Sequence, residues 1–459
     1  MSFQTEEILQ QRHRWLPYVF VILGAFVSGY LISQQLQFQV ITYGVFFFAA
    51  WLVFFVNSPV NALIFIVGAK TCTDRLNYPI FGSFSVNALL YCAVLGGGLA
   101  CYMVERGRMR SNGAGRVYLL FLGYTFVLAF FTPIKSESLS AWVREGAMCA
   151  LYLLFANLMT GQRSQKKYIF LVCLLGVVGV MISLLQRAGL YPSFDPSRFS
   201  GTFGHPNFFA YYLLIPTGFA CGFFLLSPAF SARVFWLSLI LLLSGGVLLT
   251  YTRGAWIAAA VMFLIIGVLS KRWWFPVVAI LGMIGIYLVV PTVQERLYWI
   301  IDSPNVAAGT SGRSTIWLYS LPMIQENPWF GYGVNSFQIY SPLQVDAHNS
   351  YLKVIFETGV IGLVLYCLFF ALNIRYAYQV WQRSPDAYER IFALGFLGCF
   401  FAFLVGGLWE NLFLGQGTEW FIYSSAGIMA AAARRMKSEE AVVSSTKLHS
   451  PIPTVAHAR

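Results

Sequence analysis

Apolar stretches long enough to cross a bilayer recur along almost the whole of this chain, a pattern that a soluble domain does not carry. Runs such as 18–32, 86–104 and 236–249 contain no charged residue. A spanning helix needs roughly 20 mainly apolar residues, and polar flanks bring the shortest runs to that length. Only 10% of the 459 residues are charged and 58% are hydrophobic. An ordinary soluble domain has roughly a quarter charged residues, so this chain has too little polar surface to face water all round. The reading is an all-α, polytopic integral membrane protein. No small-residue cleavage site follows the first apolar run, so no cleaved signal peptide is expected.

Fourteen spans are expected, near 17–34, 38–56, 57–70, 85–104, 116–133, 139–160, 168–187, 207–227, 233–251, 254–270, 273–290, 350–374, 390–408 and 418–433. The third is the weakest, because Asn57, Ser58 and Pro59 alone separate it from the second. Lysine and arginine in short loops set orientation. With the N-terminus inside, the inner connections collect Arg12 and Arg14, the Arg106/Arg108/Arg110/Arg116 cluster, Arg163/Lys166/Lys167, Arg233, Lys271/Arg272, Arg375/Arg383/Arg390 and Arg434/Arg435/Lys437. That alternation holds through every connection and predicts both ends inside. The net charge of +12 is therefore loop charge spread between spans, and no basic domain suggests a nucleic-acid partner. Seven of the eight cysteines lie in or beside apolar runs, with Cys72 the exception. No Cys/His spacing suggests zinc or a disulfide framework.

The organisation predicted is a cytoplasmic N-terminus over 1–16, membrane helices over 17–290, a long outer loop over 291–349, more helices over 350–433, and a disordered cytoplasmic tail over 434–459. Loops beyond about 12–15 residues are usually functional or disordered. The 291–349 loop is not low-complexity: it carries Trp299, Trp317, Trp329, Phe330 and Phe337, and an amphipathic helix is expected near 315–325. It reads as a folded, partly helical cap. No internal repeat marks an inverted-repeat transporter.

Charge on the outer side stands out, because few basic residues are placed there. Arg253 sits in a connection of almost no length; it is either an interfacial anchor or a binding group. Arg313 stands at the predicted start of the loop helix, capped by Ser314 or Thr315, where a guanidinium beside a helix N-terminus suits phosphate. His348, followed by Asn349, lies where the loop re-enters the membrane; it is either a helix cap or a base poised near neutral pH. His205 lies in a Gly/Pro/Asn turn with Asn207 as the expected N-cap. Glu410 ends a late span and can orient a histidine or hold an arginine. Arg144 and Glu145 are the best candidates for polar residues inside the membrane. No Walker loop and no Asp-x-Asp pair appears. Two arginines, a histidine and a carboxylate suit transfer from a lipid-linked diphosphate sugar, whose bond energy is already present; neither ATP, a cofactor nor a metal enters that scheme.

Several short motifs, in order, resemble the O-antigen ligase and O-antigen polymerase superfamily of bacterial membrane glycosyltransferases. They are GTFGHPN (201–207), TRG (252–254), GRSTIW (312–317), NPWFGYG (327–333), AHNSYL (347–352) and ETGVIG (357–362), within a resemblance over 198–414. The resemblance implies a bacterial inner-membrane enzyme with its site on the periplasmic face and about twelve spans, so 12–14 are expected. It implies a glycan donor on undecaprenyl diphosphate and, for ligases, lipid A-core as acceptor. It assigns diphosphate binding to Arg253 and Arg313 and the base to His348; from the residues themselves, Asn349, His205, Asn207 and Glu410 are expected in support. A polymerase, taking a second lipid-linked glycan, shares the donor site. The outer acids Asp195, Glu295, Asp302, Glu326, Asp346, Glu357, Glu410 and Glu419 tilt against a strongly anionic acceptor. The histidine motif weighs more and favours a ligase. A small-anion transporter is the alternative of another class, and it requires polar residues at mid-membrane in several spans.

Overall fold

The computed structural model describes residues 48–74, 79–81, 84–104, 109–193, 195–301, 310–413 and 417–448. The expected first span, most of the second, and Asp302 in the long loop lie outside them. The chain folds as helices α1 (Phe48–Asn57), α2 (Pro59–Thr73), α3 (Val86–Val104), α4 (Gly113–Phe131), α5 (Lys135–Leu158), α6 (Gln162–Arg187), α7 (Pro206–Leu226), α8 (Phe230–Leu249), α9 (Arg253–Leu269) and α10 (Trp274–Val289). The loop helices α11 (Pro291–Ile301), α12 (Arg313–Glu326) and α13 (Phe337–Tyr340) follow, then α14 (Ser350–Arg383), α15 (Ala387–Gly406) and α16 (Gly417–Leu448). One small antiparallel hairpin, β1 (Pro79–Phe81) with β2 (Phe84–Ser85), precedes α3.

Among the described residues, eight helices are long and apolar enough to cross a membrane, or nine if the bent pair α10–α11 is one span. The protein is a polytopic membrane protein. Every expected span from the third onward falls on a helix. Helix ends differ from span ends because apolarity marks the bilayer edge, whereas the backbone stays helical beyond it. Thus α14 runs to Arg383, and α16 runs to Leu448, so the tail expected to be disordered from 434 is helical over its first part. The weak third span is α2. Ser58 alone breaks the backbone, and Pro59 fits the first helical position because its missing N–H has no intrahelical partner there.

α7 lies at the centre, buried along nearly its whole length, and packs on α8, α9 and α15. Glycines let α7 and α15 approach closely: a β-carbon at Gly222 would sit 2.8 Å from the Ile391 carbonyl oxygen, and one at Gly395 2.9 Å from that of Gly218. Small residues at such crossings are how membrane helices gain contact without a hydrophobic driving force.

The long loop is folded. Pro291 forces Val290 into an extended conformation, and α11 turns 97° away from α10. Ile316, Phe337, Ala347 and Phe356 form a small core beneath the loop. The loop docks on a break in α14 at Gly359, where φ is +65°. There Tyr332 N and Gly333 N donate to the carbonyls of Phe356 and Glu357 (3.0 and 2.8 Å), and Val360 N donates to Pro328 O at 2.8 Å. A β-carbon at Gly359 would collide with the Trp329 carbonyl, which gives the NPWFGYG and ETGVIG motifs one shared structural reason. α12 starts at Arg313 and is not simply amphipathic. Ile316 and Ser320 are buried, but Leu318, Tyr319 and Leu321 are exposed.

Candidate active site

A cleft of about 300 Å³ opens where the α8–α9 turn, the start of α7, the long loop and the segment after α15 meet. It gathers Arg253, Arg313, His348, His205, Asn207 and Glu410. All the candidates except Asn349 therefore line one cavity, although they come from distant parts of the chain.

Each is placed by local chemistry. Arg253 is the first residue of α9, after Tyr251 in the left-handed region (φ +50°), and its Nη2 donates to Ser311 Oγ at 2.9 Å. Arg313 opens α12 after Gly312 (φ +80°). The helix start is held by Thr310 Oγ1, which accepts from Ser314 N at 3.2 Å; neither Ser314 nor Thr315 caps it. Asn349 is the N-cap of α14, accepting from Tyr351 N and Leu352 N, each at 3.0 Å. His348 is therefore not the cap. It sits one residue earlier at φ +47°, a strained conformation for a residue with a β-carbon. Its turn is fixed from α12, where Trp317 Nε1 donates to Ala347 O at 2.9 Å.

His205, rather than Asn207, caps α7: its Nδ1 accepts from Asn207 N at 3.1 Å. The cause is Pro206, which takes the first helical position and leaves the residue before it extended. Burial pushes the His205 imidazole below its ordinary value, against the pull of Glu410. Asn207 is thereby free to bridge the site, its Oδ1 accepting from Arg198 Nη2 at 2.9 Å and its Nδ2 donating to Glu410 Oε2 at 2.6 Å.

Glu410 is the hub. Only 3% exposed, it faces His348 Nδ1 across 2.9 Å through Oε1 and Arg313 Nη2 across 3.5 Å through Oε2. Ser350 Oγ donates to its backbone carbonyl at 2.8 Å, which ties the segment after α15 to the start of α14. Burial alone would push this carboxyl up. The hydrogen bond and charge of His348, the Asn207 amide and Arg313 more than offset that, and Glu410 lies below its ordinary value. Because the folded value is lowered, ionised Glu410 contributes stability above the ordinary carboxylate range, and that contribution is lost as pH falls through the lowered value. Glu410→Gln is expected to cost about 1–3 kcal/mol at neutral pH, read as thermal unfolding in detergent. The gap to the wild type should close as pH falls; a gap that does not change with pH would contradict this account of the hub.

Two arginines were missed by the sequence reading. Arg198 donates from Nε to Thr250 O at 2.8 Å, and Arg296 on α11 lies over the Tyr251 ring at 6.0 Å. Both line the cleft. The signal that singled out Arg253, an arginine on the face expected to be poor in them, applies equally to both. Four guanidiniums and one carboxylate thus face the same space. Arg144 and Glu145 do not line it; Glu145 is buried in α5 and accepts from Tyr118 Oη at 2.9 Å. Among the described residues, no group of three or more His, Cys, Asp or Glu side chains could hold a metal.

Comparison with known proteins finds similarity over part of the chain. Residues 238–367 match the family model described as O-antigen ligase; Arg253, Arg313 and His348 fall inside that match, while His205, Asn207 and Glu410 fall outside it. An O-antigen ligase of Pseudomonas aeruginosa is 36% identical over 81 residues, covering 17% of this chain and 20% of that relative. An O-antigen ligase of Salmonella typhimurium is 26% identical over 193 residues, covering 36% of this chain and 46% of the relative. The matched segments thus span less than half the length of either relative. Over residues 238–367 the chain is therefore similar to the O-antigen ligase family, and the two ligases match it over parts of their length.

Proposed function

We propose that this protein transfers a glycan from undecaprenyl diphosphate to an acceptor hydroxyl at the outer face of the bacterial inner membrane, as an O-antigen ligase acting on lipid A-core. The observation that carries the reading is the His348–Glu410 pair facing a cleft with four arginines. With Nδ1–H donated to Glu410, the neutral imidazole keeps its Nε2 lone pair for the acceptor. The His348 side chain is two-fifths exposed and lines the cleft.

The acceptor hydroxyl gives its proton to Nε2 as its oxygen attacks the anomeric carbon. The bond from that carbon to the diphosphate oxygen breaks, and its electron pair leaves on the diphosphate, with inversion at the sugar. The leaving group gains negative charge as this happens. Guanidiniums fixed in advance therefore stabilise the transition state more than the bound donor, which is the condition for catalysis. Glu410 orients the base and stabilises the imidazolium that forms. The scheme uses neither a metal nor a cofactor.

The test in cells is a deletion strain, its glycans resolved by gel and by lipid extraction. A ligase defect leaves long polymer on the undecaprenyl carrier and none on lipid A-core. Single repeat units still joined to lipid A-core would assign the chain to polymerisation instead, and an unchanged glycan profile would remove it from this pathway.

A further inference from the structure

A second cavity lies away from the arginine cleft and has a different character. It is a groove of about 570 Å³ between α6, α7 and α8. Its walls include Phe170 and Leu174 of α6 and Phe235 and Leu242 of α8, all exposed at the protein surface. On a membrane protein that surface faces hydrocarbon, so a lipid chain is the natural filling. The lining contains a single charged side chain, Lys166, at one end of the groove. From there to Val177, the last α6 residue in the wall, the helix rises roughly 16 Å. That is about half the roughly 30 Å hydrocarbon core, the depth of one leaflet.

The Lys166 end has the features of a headgroup level. Tyr388 and Trp236 stand there, aromatic side chains with an apolar body and a polar tip. Lys166 Nζ lies 5.3 Å from the centre of the Tyr388 ring, and among the described residues no carboxylate pairs with it. The nearby acids are engaged elsewhere: Asp386 accepts from Gln162 Nε2 and from Tyr388 N, and Glu389 pairs with Arg435. The next residue, Lys167, is held by Asn61 Oδ1 at 2.9 Å. The groove therefore presents one ammonium without an acidic partner above an apolar slot.

We propose that this groove binds one anionic glycerophospholipid, with an acyl chain along α6 and α8 and its headgroup phosphate on the Lys166 ammonium. A zwitterionic lipid fills the same slot but brings its own cation to the ammonium. The site is independent of the glycan-transfer reading, since none of its lining residues is shared with the arginine cleft.

The full chain, purified in detergent, is titrated with equimolar phosphatidylglycerol and phosphatidylcholine, and bound lipid is counted by native mass spectrometry. The wild type should prefer phosphatidylglycerol. One basic residue near the headgroup corresponds to about a fivefold preference, so Lys166→Gln should lower phosphatidylglycerol binding by about that factor. Lys166→Arg should restore it, and Lys167→Gln should leave it unchanged. Ser238→Trp, which fills the slot from α8, should weaken both lipids. A wild type without headgroup preference, a Lys166→Gln variant that binds as the wild type does, or a Ser238→Trp variant that retains both lipids would each overturn the proposal.

Discussion

Replacing His348 by alanine is expected to lower glycan transfer by roughly 100- to 10,000-fold while leaving protein level and membrane insertion unchanged. Asn349, not His348, holds the start of α14, so the helix keeps its cap when the imidazole is removed. The turn itself is also retained, through Trp317 Nε1 on the Ala347 carbonyl and through the Lys353–Asp346 ion pair at 3.1 Å. Alanine keeps the β-carbon at φ +47°, and Glu410 loses one of its hydrogen-bond partners, so thermal stability should fall by no more than about 1–3 kcal/mol. The measurement is transfer by the purified variant beside its thermal unfolding. Near-wild-type transfer would show that the imidazole is not the base.

The second large effect is expected at Arg253 and Arg313. Arg253→Lys and Arg313→Lys keep the charge but lose the planar fork that meets a phosphate through two parallel hydrogen bonds. Removing one well-placed donor of this kind costs roughly 100- to 1,000-fold in turnover. The two variants should differ in one respect. Arg253 contacts only Ser311 Oγ among the hydrogen bonds described, so its loss acts on the donor alone. Arg313 also faces Glu410, so its loss should additionally shift the acid limb of the pH profile. Full activity in both lysine variants would show that no directional guanidinium contact is used.

The fold was legible where apolarity is the signal. From the third span onward each expected segment is a helix, because twenty apolar residues in a bilayer have few other ways to satisfy their backbone. Helix ends were not legible, as α14 and α16 show, since hydropathy reports the bilayer and not the hydrogen-bond ladder. Within the site, Arg253, Arg313 and His348 could be singled out because each is a charged or titratable residue where the local pattern does not call for one. Arg198 and Arg296 obey the same rule but were passed over, because neither lies in one of the short motifs that drew attention to Arg253, Arg313 and His348. The cap at the start of α7 was misassigned to Asn207. Propensity favours asparagine there, but Pro206 takes the first helical position and moves the cap two residues earlier, to His205. Glu410 could be named as a carboxylate able to orient a histidine or hold an arginine, but the set of residues that meets it was beyond reach. Its partners lie 62, 97 and 203 positions away along the chain, and no local pattern encodes such a meeting.

The most direct test of the account is a transfer reaction with the purified wild-type chain, a glycan-bearing undecaprenyl diphosphate and lipid A-core, without nucleotide and with a chelator present. The account predicts glycan on the acceptor and one free undecaprenyl diphosphate for each glycan moved. Donor left intact, or transfer abolished by the chelator and restored by a divalent metal, would contradict it.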